Sequence, residues 1–203
     1  MIQFLFIFLI GFSSLFAQDT LVISKDGDSF DNFKVEMYED SSTTLSLSEV
    51  QKIQNFNPYN NRISLGYSDS AFWFRFKLKN ATLKELTYFS QFTENMADEL
   101  DFYIIKESGQ YILHKAGVST YTQSNSQHKK PRFEINLQSG EVKTIYFRLV
   151  GKYSNFTSIK VLNQESLDSY NKVYDRYYIF YFGAIFSLLL YKITLSGERK
   201  LSN

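Results

Sequence analysis

Residues 71–80, Ala-Phe-Trp-Phe-Arg-Phe-Lys-Leu-Lys-Asn, constrain this chain more than any other stretch. Successive side chains of a strand point to opposite faces. Phe72, Phe74, Phe76 and Leu78 therefore make one wholly apolar row, and Trp73, Arg75, Lys77 and Lys79 make the other. A helix would scatter the four apolar residues around its axis, and the β-propensity of Phe and Trp argues against it too. The first row belongs in a core. The second is amphipathic and cationic, and it holds the only tryptophan of the chain.

The same alternation recurs along the sequence. Residues 34–38, 87–92, 100–105, 111–114, 132–137, 142–150 and 158–162 read as strands, and 21–23 as a shorter one. Residues 45–54 could hold a helical turn, and 55–61 form an Asn-rich turn cluster that delivers the chain to Gly66. Short strands at roughly ten-residue spacing predict an all-β, antiparallel β-sandwich. Periodicity leaves jelly-roll and immunoglobulin-like topologies both open. The chain has no cysteine, which rules out disulfides, thiol chemistry and Cys-ligated metals and removes one immunoglobulin hallmark. Its 203 residues, with 20 Phe and 15 Tyr, are enough for a fold held by its core alone.

The two ends differ from the middle. Residues 1–17 read as a cleaved signal peptide: an apolar run, two serines and a cut after Ala17, though without a basic start. Residues 18–46 follow as a polar N-terminal segment, 47–165 as the sandwich, and 166–176 as a juxtamembrane linker. Residues 177–191 carry no charge, are bracketed by Arg176 and Lys192, and contain tyrosines suited to an interfacial belt. With Lys192 snorkelling, residues 177–195 span roughly 28 Å, which predicts one C-terminal transmembrane helix. The short tail, 196–203, holds Arg199 and Lys200, so the sandwich is expected outside the inner membrane, in the periplasm.

Catalysis has little to stand on. There are two histidines, His114 and His128, and no nucleophile elbow, zinc-binding helix or phosphate-cradling loop. The chain is expected not to be an enzyme, with no cofactor and no metal. A net charge of +1 without a basic stripe argues against a nucleic-acid partner. Binding has more support, because Trp73-x-Arg75 recurs in kind as Tyr146-x-Arg148, and Asp101-x-Tyr103 adds an acidic-aromatic pair. If those strands share a sheet, flat rings and bidentate donors make a platform for a sugar or a carboxylate. In the plainer alternative, Arg75 pairs with Asp101 and Trp73 packs under a loop.

The order Gly66-Tyr67-Ser68, Ala71-x-Trp73-x-Arg75-x-x-Leu78-x-Asn80, Asp101-x-Tyr103, Gly117, Arg132-Phe133 and Tyr146-x-Arg148 resembles a known family. It is similar to the extracellular sensor domain of bacterial seven-transmembrane receptors with diverse intracellular signalling modules. The resemblance covers about residues 47–161 and continues into 178–191, which look like the family's first membrane helix. It implies a jelly-roll sandwich related to carbohydrate-binding modules, serving as the periplasmic sensor module of a signalling receptor. It adds Arg132 to the expected ligand-binding set of Trp73, Arg75, Asp101, Tyr103, Tyr146 and Arg148. After Tyr191 the chain departs from the family's pattern of further spans, and so reads as a truncated member. Its expected partners are a glycan or small-molecule ligand, the membrane, and either another copy of itself or a missing receptor portion. The competing reading is a membrane-tethered structural or protein-interaction sandwich with no small-molecule ligand.

Overall fold

The computed structural model describes residues 20–93, 97–120, 130–152 and 155–201. The expected signal peptide, 1–17, and the polar segment around His128 lie outside the described residues.

Eleven strands and two α-helices are described: β1 Thr20–Ile23, β2 Lys34–Asp40, α1 Leu47–Val50, β3 Asn57–Asn60, β4 Arg62–Gly66, β5 Ala71–Asn80, β6 Leu86–Phe92, β7 Glu99–Ile105, β8 Tyr111–Ala116, β9 Arg132–Leu137, β10 Val142–Val150, β11 Asn155–Asn163 and α2 Gln164–Leu201. They form two sheets. The larger runs β3-β2-β5-β10-β7-β8, with β1 also on β5, and the smaller runs β4-β11-β6-β9. All pairings are antiparallel except β1 with β5. β1 and β2 share one edge of β5 end to end: β2 lies on Ala71–Arg75 and β1 on Lys77–Asn80. The N-terminal segment is thus an integral part of the larger sheet.

The apolar row of β5 does what its alternation demands. Phe72, Phe74, Phe76 and Leu78 are buried in one core with Tyr88 and Phe92 of β6, Phe133 and Ile135 of β9, and Ile159 and Val161 of β11. Phe74 stacks on its cross-strand neighbour Phe147 at 4.8 Å within the larger sheet, and the sheets interlock through Phe102 stacked on Phe133 at 4.4 Å and Phe92 edge-on to Phe147 at 5.3 Å. Two buried amides close the ends. Asn80 donates to the carbonyls of Lys84, Leu137 and Gln138 and accepts from Thr82, while Asn61 donates to those of Asp31 and Ile159 and accepts from the Phe33 amide. Each satisfies backbone groups that no ladder reaches.

Three expectations need correction. The Asn-rich stretch is not only a turn, because Asn57–Asn60 is strand β3 at the sheet's edge, where Pro58 costs no interior ladder bond. Residues 166–176 are not a separate linker. β11 passes directly into α2, where the Asn163 side chain accepts from the Ser166 amide. The expected transmembrane helix over 177–195 is not met either: among the described residues no helix is long and apolar enough to cross a membrane. The uncharged run of 177–191 reaches only about 22 Å at ~1.5 Å per residue, against a hydrocarbon core of ~30 Å. Its four tyrosines and one glycine lower its hydropathy further.

α2 is fastened to the smaller sheet at its start. Leu167 is buried against Phe89 and Leu162 with Tyr170 beside them, and Lys160 lies 4.5 Å over the Tyr170 ring. Beyond this anchorage the helix surface is open, and residues such as Ile179, Phe180 and Leu188 are exposed.

Candidate functional site

The outer face of the larger sheet gathers most of the singled-out residues. Strand register sets them in rows. One row runs Tyr38, Trp73, Arg148, Asp101, Lys115 across β2, β5, β10, β7 and β8, and the next runs Glu36, Arg75, Tyr146, Tyr103, Leu113. The two aromatic-x-arginine strands are therefore neighbours, staggered so that each arginine faces the other strand's ring. Arg132 is not among them. It stands on β9 of the smaller sheet, with its guanidinium 5.4 Å from the Phe89 ring.

Half of this face is covered. Residues 41–56 fold over it and bury Leu47, Val50 and Phe56 against Trp73, Tyr103 and Tyr146. Trp73 is only 1% exposed and stacks on Tyr103 at 5.7 Å, while its indole N–H has no acceptor among the described residues. The cover is built locally. The buried Asp40 carboxylate accepts from the Ser42 hydroxyl and from the amides of Ser42, Thr43 and Leu45. Burial alone would raise its pKa, but those hydrogen bonds outweigh it and hold the carboxyl below its ordinary value. Glu49 and Ser46 form a capping box on α1.

Both arginines fasten that cover. Arg75 Nε donates to Glu36 at 2.6 Å, and its guanidinium lies 4.0 Å over the Phe56 ring. Arg148 Nη1 binds Glu99 at 2.9 Å with Asp101 at 3.7 Å, and Nη2 donates to the carbonyl of Thr43. Thr43 itself sits at φ 60°, rare for a β-branched residue. The plainer alternative thus describes Trp73, while Arg75 takes Glu36 rather than Asp101 as its partner. Glu36 was missed, although alternation in residues 34–38 places it beside Tyr38 on the outer face. Burial pushes the Tyr103 phenol up to about 12, with Asp101 adding to the effect, so the ring is neutral at pH 7.

The other half is open. Beyond Arg75 the rows continue as Thr20, Lys77, Thr144, Ile105, Tyr111 and as Val22, Lys79, Val142. Tyr111 meets Tyr103 edge-on at 5.5 Å, which joins the open half to the buried ring cluster. Among the described residues no group of three or more His, Cys, Asp or Glu comes together to hold a metal ion.

Residues 32–163 match the family model described as 7TMR-DISM extracellular 2. The chain belongs to this family. It is a family of extracellular sensor domains of seven-transmembrane receptors and not an enzymatic one. No curated protein matches the chain. Among solved structures it is similar to a beta-glucosidase from Kluyveromyces marxianus in complex with glucose, at 10% identity and TM-score 0.38, over 64% of this chain and 15% of that one. A GH31 alpha-xylosidase from Xanthomonas citri gives 10% identity and TM-score 0.33, over 64% and 13%. A carbohydrate-binding module specific for non-crystalline cellulose gives 8% and 0.27, over 55% and 76%. The chain therefore spans only a small part of the two enzymes, and likeness this slight carries nothing about ligands.

Proposed function

We propose that this sandwich is the ligand-binding part of a receptor sensor domain, and that a carbohydrate or small polar ligand is held on the outer face of its larger sheet. The finer features go with that reading: jelly-roll topology, a periplasmic position, and an uncharged stretch of α2 that rests against the membrane-embedded part of a receptor. The observation that carries the ligand reading is the register of β5, β10 and β7, which sets rings and guanidiniums in adjoining rows.

Magnitudes decide which half of that face takes the ligand. Lifting residues 41–56 would bare Leu47, Val50, Phe56 and Trp73, at roughly 1.5–3 kcal/mol each. The total, roughly 6–12 kcal/mol, equals the whole binding energy of a ligand with Kd between about tens of micromolar and nanomolar. The covered rings are therefore the floor of the site. Trp73 and Tyr146 shape it, Asp101 and Arg148 fasten its cover, and Arg75 and Tyr103 stand where the cover ends and the open rows begin.

Calorimetric titration of the protein with a panel of neutral and acidic oligosaccharides and small carboxylates tests the reading. A saturable ligand should appear, and Arg75→Lys, which keeps the charge and loses the fork, should weaken it about 10-fold or more. A panel with no binder sinks the reading. One observation favours the protein-interaction alternative: Tyr111, Ile112 and Leu113 are exposed on β8, an edge strand. Concentration-dependent self-association lost on Ile112→Lys would support that alternative.

A further inference from the structure

The open half of the outer face has a charge imbalance that the covered half does not. In the two covered rows each cation is matched: Arg75 by Glu36, Arg148 by Glu99 and Asp101, Lys115 by Asp101. In the open half Lys77 and Lys79 stand on the central strand β5, and among the described residues neither side chain has an ion pair or hydrogen bond. The rows they occupy contain no carboxylate: Thr20, Thr144, Ile105 and Tyr111 flank Lys77, and Val22 and Val142 flank Lys79. Glu36 is held by Arg75, Glu141 by Lys143, and Glu107 lies in the turn after β7.

Lys77 is half-buried as a residue. Its stem lies between Thr20 and Thr144 on neighbouring strands. The lysines are two residues apart on one strand face, hence roughly 7 Å apart along the strand. Thr144 offers a hydroxyl beside them. Tyr111, which is 52% exposed, offers a ring face two strands further on.

Resting on the ligand-binding reading above, we propose that the open half of this face selects an acidic saccharide. Two of its acid groups would be taken by Lys77 and Lys79, with a sugar ring over the Ile105 and Tyr111 side of the same rows. Charge complementarity sets the class, because among the described residues these rows give an anion two unpaired ammonium groups and no carboxylate.

The test is titration of the protein with trigalacturonate, with cellotriose as the uncharged counterpart, and with vesicles containing one-third phosphatidylglycerol. Trigalacturonate should bind at least about 10-fold more tightly than cellotriose, and its affinity should fall as salt is raised from low to physiological concentration. The double variant Lys77→Gln with Lys79→Gln should lose about 5- to 20-fold of the trigalacturonate affinity and none of the thermal stability, since neither side chain has a partner to lose. Equal binding of both saccharides, unmoved by the double variant, overturns the acidic selection and leaves the ligand reading standing. Binding of neither overturns both. Preference for the vesicles overturns the saccharide in favour of an anionic lipid surface.

Discussion

Removing one ring from the cover tests whether residues 41–56 are packed as the structure describes. Phe56 touches Tyr146 edge-on at 6.5 Å and Tyr38 at 5.8 Å, and receives the Arg75 guanidinium at 4.0 Å. A fully buried Phe→Ala typically costs 3–5 kcal/mol. Phe56 lies at the margin of its cluster with 9% exposure, so the lower end applies, about 3 kcal/mol. The lost cation–π contact adds about 0.5–1 kcal/mol, and Arg75 keeps Glu36. Phe56→Ala should therefore destabilise the domain by about 3–4 kcal/mol, a fall in Tm of roughly 6–16 °C. The only tryptophan reports locally on the same event. Trp73 lies under the cover, so acrylamide should quench its native-state emission more in the variant, at a denaturant concentration where the fold is intact. Leu83→Ala, at a residue 96% exposed, is the control and should stay within about 0.5 kcal/mol. Equal quenching in Phe56→Ala and the natural chain, with a stability change below about 0.5 kcal/mol, would refute the packed cover.

Two further outcomes follow from single residues. Gly117 sits at φ +115° with Asp98's carbonyl oxygen 2.5 Å from where a Cβ would lie, so Gly117→Ala should cost at least about 1–3 kcal/mol in urea denaturation, and an unchanged midpoint would refute the close approach. Asp40 has its folded pKa below the unfolded value near 3.9. The stability it gives is complete above that value and is lost as pH falls through the folded one. As pH falls below about 4 the natural chain should lose stability more steeply than Asp40→Asn, as followed by thermal melts; parallel slopes would refute the role of this carboxylate.

How much was legible in the sequence depended on the range of each interaction. β9 and β10 were found with their bounds, 132–137 and 142–150, because strict alternation is written locally. The two faces of β5 were legible for the same reason. β1 was placed as a strand but not in a sheet, since its parallel partner lies more than fifty residues away. The rows of the site were half legible. Which residues share a face follows from a period of two, but that Arg75 meets Glu36 and Arg148 meets Asp101 follows from register between distant strands. Trp73's burial under a loop stood in the sequence only as one of two open alternatives, for a related reason: nothing in residues 41–56 says which surface its apolar residues will find. The helix at the C-terminus shows the limit of composition, because a run of apolar residues does not by itself give the length a membrane demands.

The shared edge of β5 bears on where this domain can be cut. The family match begins at residue 32, yet residues Lys77–Asn80 are paired with a strand that ends at Ile23. A fragment trimmed to the match would keep β2 on the first half of that edge and strip the second. It would lose the buried Leu21 and Ile23 from the core, and it would leave four residues of backbone donors and acceptors open beside an apolar row. Such a bare half-edge invites pairing between molecules. The boundary of the sequence family and the boundary of the folding unit are thus different places in this protein, separated by one short parallel strand.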